Sequence, residues 1–85
     1  MGLDTNRAAM LGQRAEIKER LAKKKLQAES CCDTITGLVN HNLTEVGEMD
    51  IPKAAAEMDQ LVALYGDIIA AQLKLDKLNR ALGSV

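Results

Sequence analysis

Two long apolar stripes, each on a seven-residue period and joined by one short break, constrain this chain more than any other feature. The first is Met10, Ile17, Leu21, Ala28, Cys31, Ile35 and Leu38; the second is Ile51, Met58, Leu61, Tyr65, Ile68, Leu75 and Leu82. A mean spacing of about 3.5 residues is that of helices packed along a common seam. Two such helices with a short connection fold back on one another. The expected fold is all-α, with two long helices forming an antiparallel coiled-coil hairpin.

Composition points the same way. The 85 residues contain no Trp, no Phe and a single Tyr, so the apolar content comes from Leu, Ala, Ile, Val and Met. That mix favours helix over sheet. The length suits one domain, residues 1–85, with a thin core that benefits from a further covering layer.

Helix 1 is expected over about 5–42, with Asp4 or Thr5 as its N-cap. Its last part holds Thr34, Thr36, Gly37, Val39, Asn40 and Asn42, all poor helix formers, so a kink or early end near Gly37 is the alternative. The loop is expected over about 43–50 (LTEVGEMD). Asp50 stands where an N-cap belongs and Pro52 lies in the first turn, where its missing amide does no harm. Helix 2 follows over about 51–82 and stops at Gly83. With the loop centred near Val46, facing residues have numbers that sum to about 92. Asn79 then faces Gln13 or Arg14, Tyr65 faces Gln27 or Ala28, and Gly37 lies level with Ala54–Ala56. Gly12, Gly37 and Gly66 are candidates for close helix approach.

Helix 2 carries more apolar surface than one partner helix covers. Leu61, Ile68, Leu75 and Leu82 form one line, Val62 and Ile69 a second, and Leu64, Ala71, Leu78 and Val85 a third. A stripe this wide calls for contacts on both sides. The expectation is self-association into a dimer or tetramer, two hairpins making a four-helix bundle, through Leu61, Leu64, Ile68, Leu75 and Leu78. A helical protein partner is the other occupant this face would suit.

The net charge of −1 hides a strong asymmetry. Residues 1–25 carry a net +4, residues 26–67 a net −7 and residues 68–85 a net +2. In a hairpin both basic stretches meet at the open end and the acids gather toward the loop. The basic run KERLAKKK makes nucleic acid an alternative partner. Arg14, Lys18, Arg20, Lys23, Lys24 and Lys25 would contact phosphate, with Lys74, Lys77 and Arg80 alongside. Against this, the chain lacks the aromatics that stack on single strands. The run also reads as a solvated helix surface with Glu16 and Arg20 paired at i,i+4.

Catalytic patterns are not evident. Cys31 and Cys32 are adjacent, a spacing at which a disulfide is strained, and they fit reduced thiols in a cytoplasmic protein. The start MGLDTNRAAM has no signal-peptide pattern, and no run of about 18 apolar residues suits a membrane span. The single His41 is badly placed to join the cysteines in a triad or a metal site. Glu45, Glu48, Asp50, Glu57 and Asp59 fit no calcium loop and read as a solvated acidic end. The expectation is a non-enzymatic interaction module without cofactor or metal.

The run AAMLGQRAEIKERLAKKKLQAES, the loop and a second helix ending LNRALG resemble small helical-hairpin proteins found among the accessory genes of phages and prophages. The resemblance covers both helices and implies the hairpin fold and an accessory role. It brings no catalytic or ligand motif. Prefoldin-like chaperones, tubulin-folding cofactors and secretion-apparatus hairpins share the outline.

Overall fold

The computed structural model describes residues 2–83. Helix α1 spans Gly2–Leu38, a single 3-10 turn spans Val46–Glu48, and helix α2 spans Ile51–Ala81. The two helices pack antiparallel in a rod measuring 66 × 18 × 15 Å.

Four cross-helix contacts fix the register. Arg7 Nη1 donates to the Leu82 carbonyl (3.3 Å) and Arg14 Nη1 to Asn79 Oδ1 (3.4 Å). Lys24 Nζ meets Asp67 Oδ2 at 3.2 Å, and Cys31 Sγ donates to Gln60 Oε1 at 4.0 Å. The residue numbers of these pairs sum to 89–93, the register that a turn centred near Val46 requires.

Helix α1 is displaced toward the N-terminus from the expected 5–42. Asp4 and Thr5 lie inside it rather than capping it. Once a helix is nucleated by good formers, each added residue brings its own hydrogen bond, so the helix runs back through them. At the other end α1 stops at Leu38, close to Gly37. Asn40 competes for the chain there. Its side-chain Oδ1 accepts from the Asn42 amide at 3.0 Å, and its carbonyl accepts from Leu43 and Thr44 at 3.1 and 3.0 Å. An Asn that captures the amides ahead of it builds a turn instead of a further helical turn. The connection therefore runs over 39–50 rather than 43–50.

Helix α2 starts as its sequence dictates. Asp50 Oδ1 accepts from the Lys53 amide at 3.1 Å, and Pro52 sits in the first turn. It ends at Ala81 with Leu82 as its C-cap, followed by Gly83 at φ 75°, a left-handed conformation that glycine adopts without strain.

The core is a single line of side chains between the helices. Leu21 and Cys31 of α1 are buried against Ala54, Leu64 and Leu75 of α2 and Leu82 just past its end. Among the described residues, no side chain is completely enclosed. The glycines do not bring the backbones together: a Cβ added at Gly12, Gly37 or Gly66 would meet nothing within 4 Å. No helix among the described residues is long and apolar enough to cross a membrane.

Candidate functional site

Helix α2 carries two apolar stripes, and the structure assigns them differently from the sequence expectation. The inner stripe follows the lines Ala54, Leu61, Ile68, Leu75, Leu82 and Glu57, Leu64, Ala71, Leu78, all buried or half-buried. The outer stripe follows Ile51, Met58, Tyr65 and Val62, Ile69, ending at Leu73, all exposed. The five residues expected to meet a partner are thus in the hairpin's own seam. Leu64 and Leu75 are only 8% and 7% exposed, while Leu61, Ile68 and Leu78 are half-buried. Helix α1 covers Leu64 and Leu75 and part of the other three, with Ile68 and Leu78 still bordering surface grooves. Ile51, Met58 and Tyr65, expected in the seam, instead face outward, with Tyr65 64% exposed. Val85 lies outside the described residues.

The contacts between the helices show which side of α2 turns inward. Gln60, Asp67 and Asn79 meet Cys31, Lys24 and Arg14 of α1, and Leu64 shares a groove with Gln27, Cys31 and Thr34. An apolar face settles against the apolar face of its neighbour, and the 61–64–68–75 side is the one that meets α1. Both stripes of helix 2 are apolar at the same period, so the sequence expectation mixed members of the two.

What remains outside is an apolar face at i, i+4, i+7 and i+11 spacing: Met58, Val62, Tyr65 and Ile69, prolonged by Ile51 and Leu73. Its residues are 43–64% exposed. Ala55 continues the line between Ile51 and Met58. This is the pattern of a second helix-packing seam, on the same helix as the first.

The basic residues converge only in part. Lys24 is tied to Asp67, Lys23 to Glu19 at 3.5 Å, and Arg14 to Asn79. The i,i+4 pair expected at Glu16 and Arg20 is formed instead by Glu19 and Lys23. Arg20 lines a groove of about 430 Å³ with Lys74, Lys77, Ile17 and Leu78. Lys25 borders a different groove, with Ala28, Cys32 and Ile68, and Lys18 is exposed on α1. Of the six basic candidates, Arg20 and Lys24 stand with basic residues of α2: Glu16 shares the groove of Arg20, Lys74 and Lys77, and Asp67 shares a second groove with Arg20, Lys24 and Lys74.

Cys31 is buried between the helices and Cys32 is exposed. Burial pushes the Cys31 thiol above its ordinary range, and a hydrogen bond and negative charge from Glu57 add to this, followed by Cys32. A buried thiol beside a carboxylate is a poor nucleophile. His41 lies exposed in the connection after α1. Among the described residues, no three His, Cys, Asp or Glu side chains are grouped so as to hold a metal ion.

No family model, curated protein or solved structure matches this chain.

Proposed function

We propose that this chain is a non-enzymatic assembly module that works by docking the outer face of α2 against another helical surface. The observation that carries this reading is the exposed stripe Met58, Val62, Tyr65 and Ile69 at helix-packing spacing. Single exposed apolar residues are ordinary, but a contiguous stripe on one helix marks an interaction surface. Its setting would be the cytoplasm, where Cys32 stays reduced. The role is an accessory one of the kind served by the phage and prophage hairpins that the sequence resembles.

The test is the double variant Val62→Asp/Ile69→Asp, compared with the parent in solution mass and in co-purification from source cells. Both positions are exposed, so helix content should be unchanged. The parent is expected to run as an assembly, with itself or with another chain, and the variant as a lone hairpin. A parent that runs as a lone hairpin and carries no partner overturns the reading.

A second reading rests on the groove where Arg20, Lys74 and Lys77 meet. Three cations lining one groove suit the backbone of a nucleic acid, bound without reading sequence. Binding of a labelled oligonucleotide that weakens steeply with salt and is lost in Arg20→Glu/Lys77→Glu would support it. Binding unchanged in that variant would exclude the groove.

A further inference from the structure

From the outer face of α2 and the charge layout of the rod, we infer that the partner is a second copy of this chain, docked antiparallel about a two-fold axis near Val62 and Tyr65. The inference rests on the docking reading above and specifies its occupant.

The apolar face is symmetric in extent. It begins at Ile51 and ends at Leu73, a length of about 33 Å at the rise of an α-helix, and Val62 stands at its midpoint. Laid on itself in the opposite direction, Ile51 of one copy comes level with Leu73 of the other, and Ala55 with Ile69. The largest side chain, Tyr65, comes within one residue of the level of the flexible Met58. An isologous contact needs a surface that complements itself in this manner.

A parallel, in-register pair would also superpose the stripe, so charge decides the direction. The loop half of the rod, residues 26–67, carries a net −7, while residues 1–25 and 68–85 at the open end carry +4 and +2. A parallel pair sets acid against acid and base against base. An antiparallel pair lays the acidic half of each copy along the basic end of the other. The local charges beyond the stripe follow the same rule. Glu45 and Glu48 lie before it and Lys77 and Arg80 after it, at nearly equal separations from Val62 and all exposed. Asp76, the acid beside Lys77, accepts from Gln72 Nε2 at 3.1 Å and keeps its charge, so this end of α2 remains basic through Lys74, Lys77 and Arg80. Opposite charges along the rim set direction more than they set affinity.

The hairpin also lacks a finished interior, since among the described residues no side chain is completely enclosed. A second hairpin on the outer face of α2 gives a four-helix arrangement with two intramolecular seams and one intermolecular seam. The contact helices are the two α2, and each α1 lies on the outside.

The test begins with the purified full-length chain alone, by light scattering at low and moderate salt. A dimer is expected. A monomer at all concentrations overturns this inference, and if the chain still co-purifies with another protein from source cells, the docking reading survives without it. Direction is then read by cross-linking in a Cys31→Ala/Cys32→Ala background that retains helix content and mass. Ile51→Cys and Leu73→Cys chains are mixed and treated with a short bismaleimide. Mixed 51–73 dimers are expected, and 51–51 and 73–73 links without mixed ones would establish a parallel pair and overturn the arrangement. Charge exchange supplies the independent check. Glu45→Lys/Glu48→Lys and Lys77→Glu/Arg80→Glu should each weaken the homodimer about tenfold at low salt, and mixing the two variants should restore a heterodimer. Equal dimerisation by the charge variants and the parent would remove the electrostatic basis for the direction.

Discussion

Cys31 and Cys32 show how far one residue's position on a helix decides its chemistry. The two thiols are adjacent in sequence, yet one points between the helices and the other to solvent. Because the thiolate is the reactive form, iodoacetamide near neutral pH should modify Cys32 well before Cys31, as peptide mapping by mass spectrometry would show. Equal rates would contradict the burial of Cys31. The raised thiol also has a consequence for stability. Its pKa is higher folded than unfolded, so above the ordinary thiol range the unfolded chain holds fewer protons than the folded one. The contribution is present below that range and is lost as pH rises through the folded value. Denaturation across the alkaline range should therefore show a decline that is shallower in Cys31→Ala. The glycines give a prediction of opposite sign at two kinds of site. Gly12→Ala and Gly66→Ala place a Cβ in open space inside helices and should each stabilise by about 0.5–1 kcal/mol. Gly83→Ala should destabilise by about 1 kcal/mol, because Gly83, unlike Gly12 and Gly66, has positive φ. Urea denaturation of the three variants checks both signs.

At the scale of the element, α2 is a helix with two packing faces, and substitutions on them should separate cleanly. Ile68 is half-buried against α1 and Tyr65, three residues before it, is exposed. Ile68→Asp places a carboxylate in the seam and should cost several kcal/mol, enough to unfold a hairpin with so thin a core. Tyr65→Asp should leave the folded hairpin's helix content intact while abolishing assembly. Circular dichroism and solution mass on the same samples distinguish the two effects. If both variants unfold, Tyr65 belongs to the seam after all. These elements also mark where sequence was sufficient. Asp50, Pro52 and Gly83 set the ends of α2 by local chemistry, because caps and left-handed glycines act within a few residues. The end of α1 was harder, since Asn40 stops it through hydrogen bonds that compete with an apolar phase still running through Leu38 and Val39. The identity of the inner face of α2 was hardest. Both of its stripes are apolar at the same period, so the choice depends on which of them meets the apolar face of α1, a non-local property.

For the whole molecule, the thin seam and the unpartnered outer face lead to a prediction about stability itself. A partner that binds only the folded hairpin shifts the unfolding equilibrium by mass action, so the thermal midpoint of a self-associating chain must rise with concentration. A hairpin that unfolds alone has no such dependence. The parent should therefore melt at higher temperature as its concentration is increased, and Val62→Asp should melt at a temperature independent of concentration. At high dilution the two should converge, because Val62 is 62% exposed in the lone hairpin and its substitution removes little there. Salt adds a second axis. The opposed charges of the two rod ends contribute to the dimer through exposed pairs, which screening weakens, whereas burial of Met58, Val62, Tyr65 and Ile69 is insensitive to moderate salt. Raising salt should reduce the concentration dependence in the parent without abolishing it. Complete loss at moderate salt would mean that charge alone holds the copies together and that the apolar face has another occupant. A midpoint independent of concentration in the parent would mean that the hairpin is stable on its own seam.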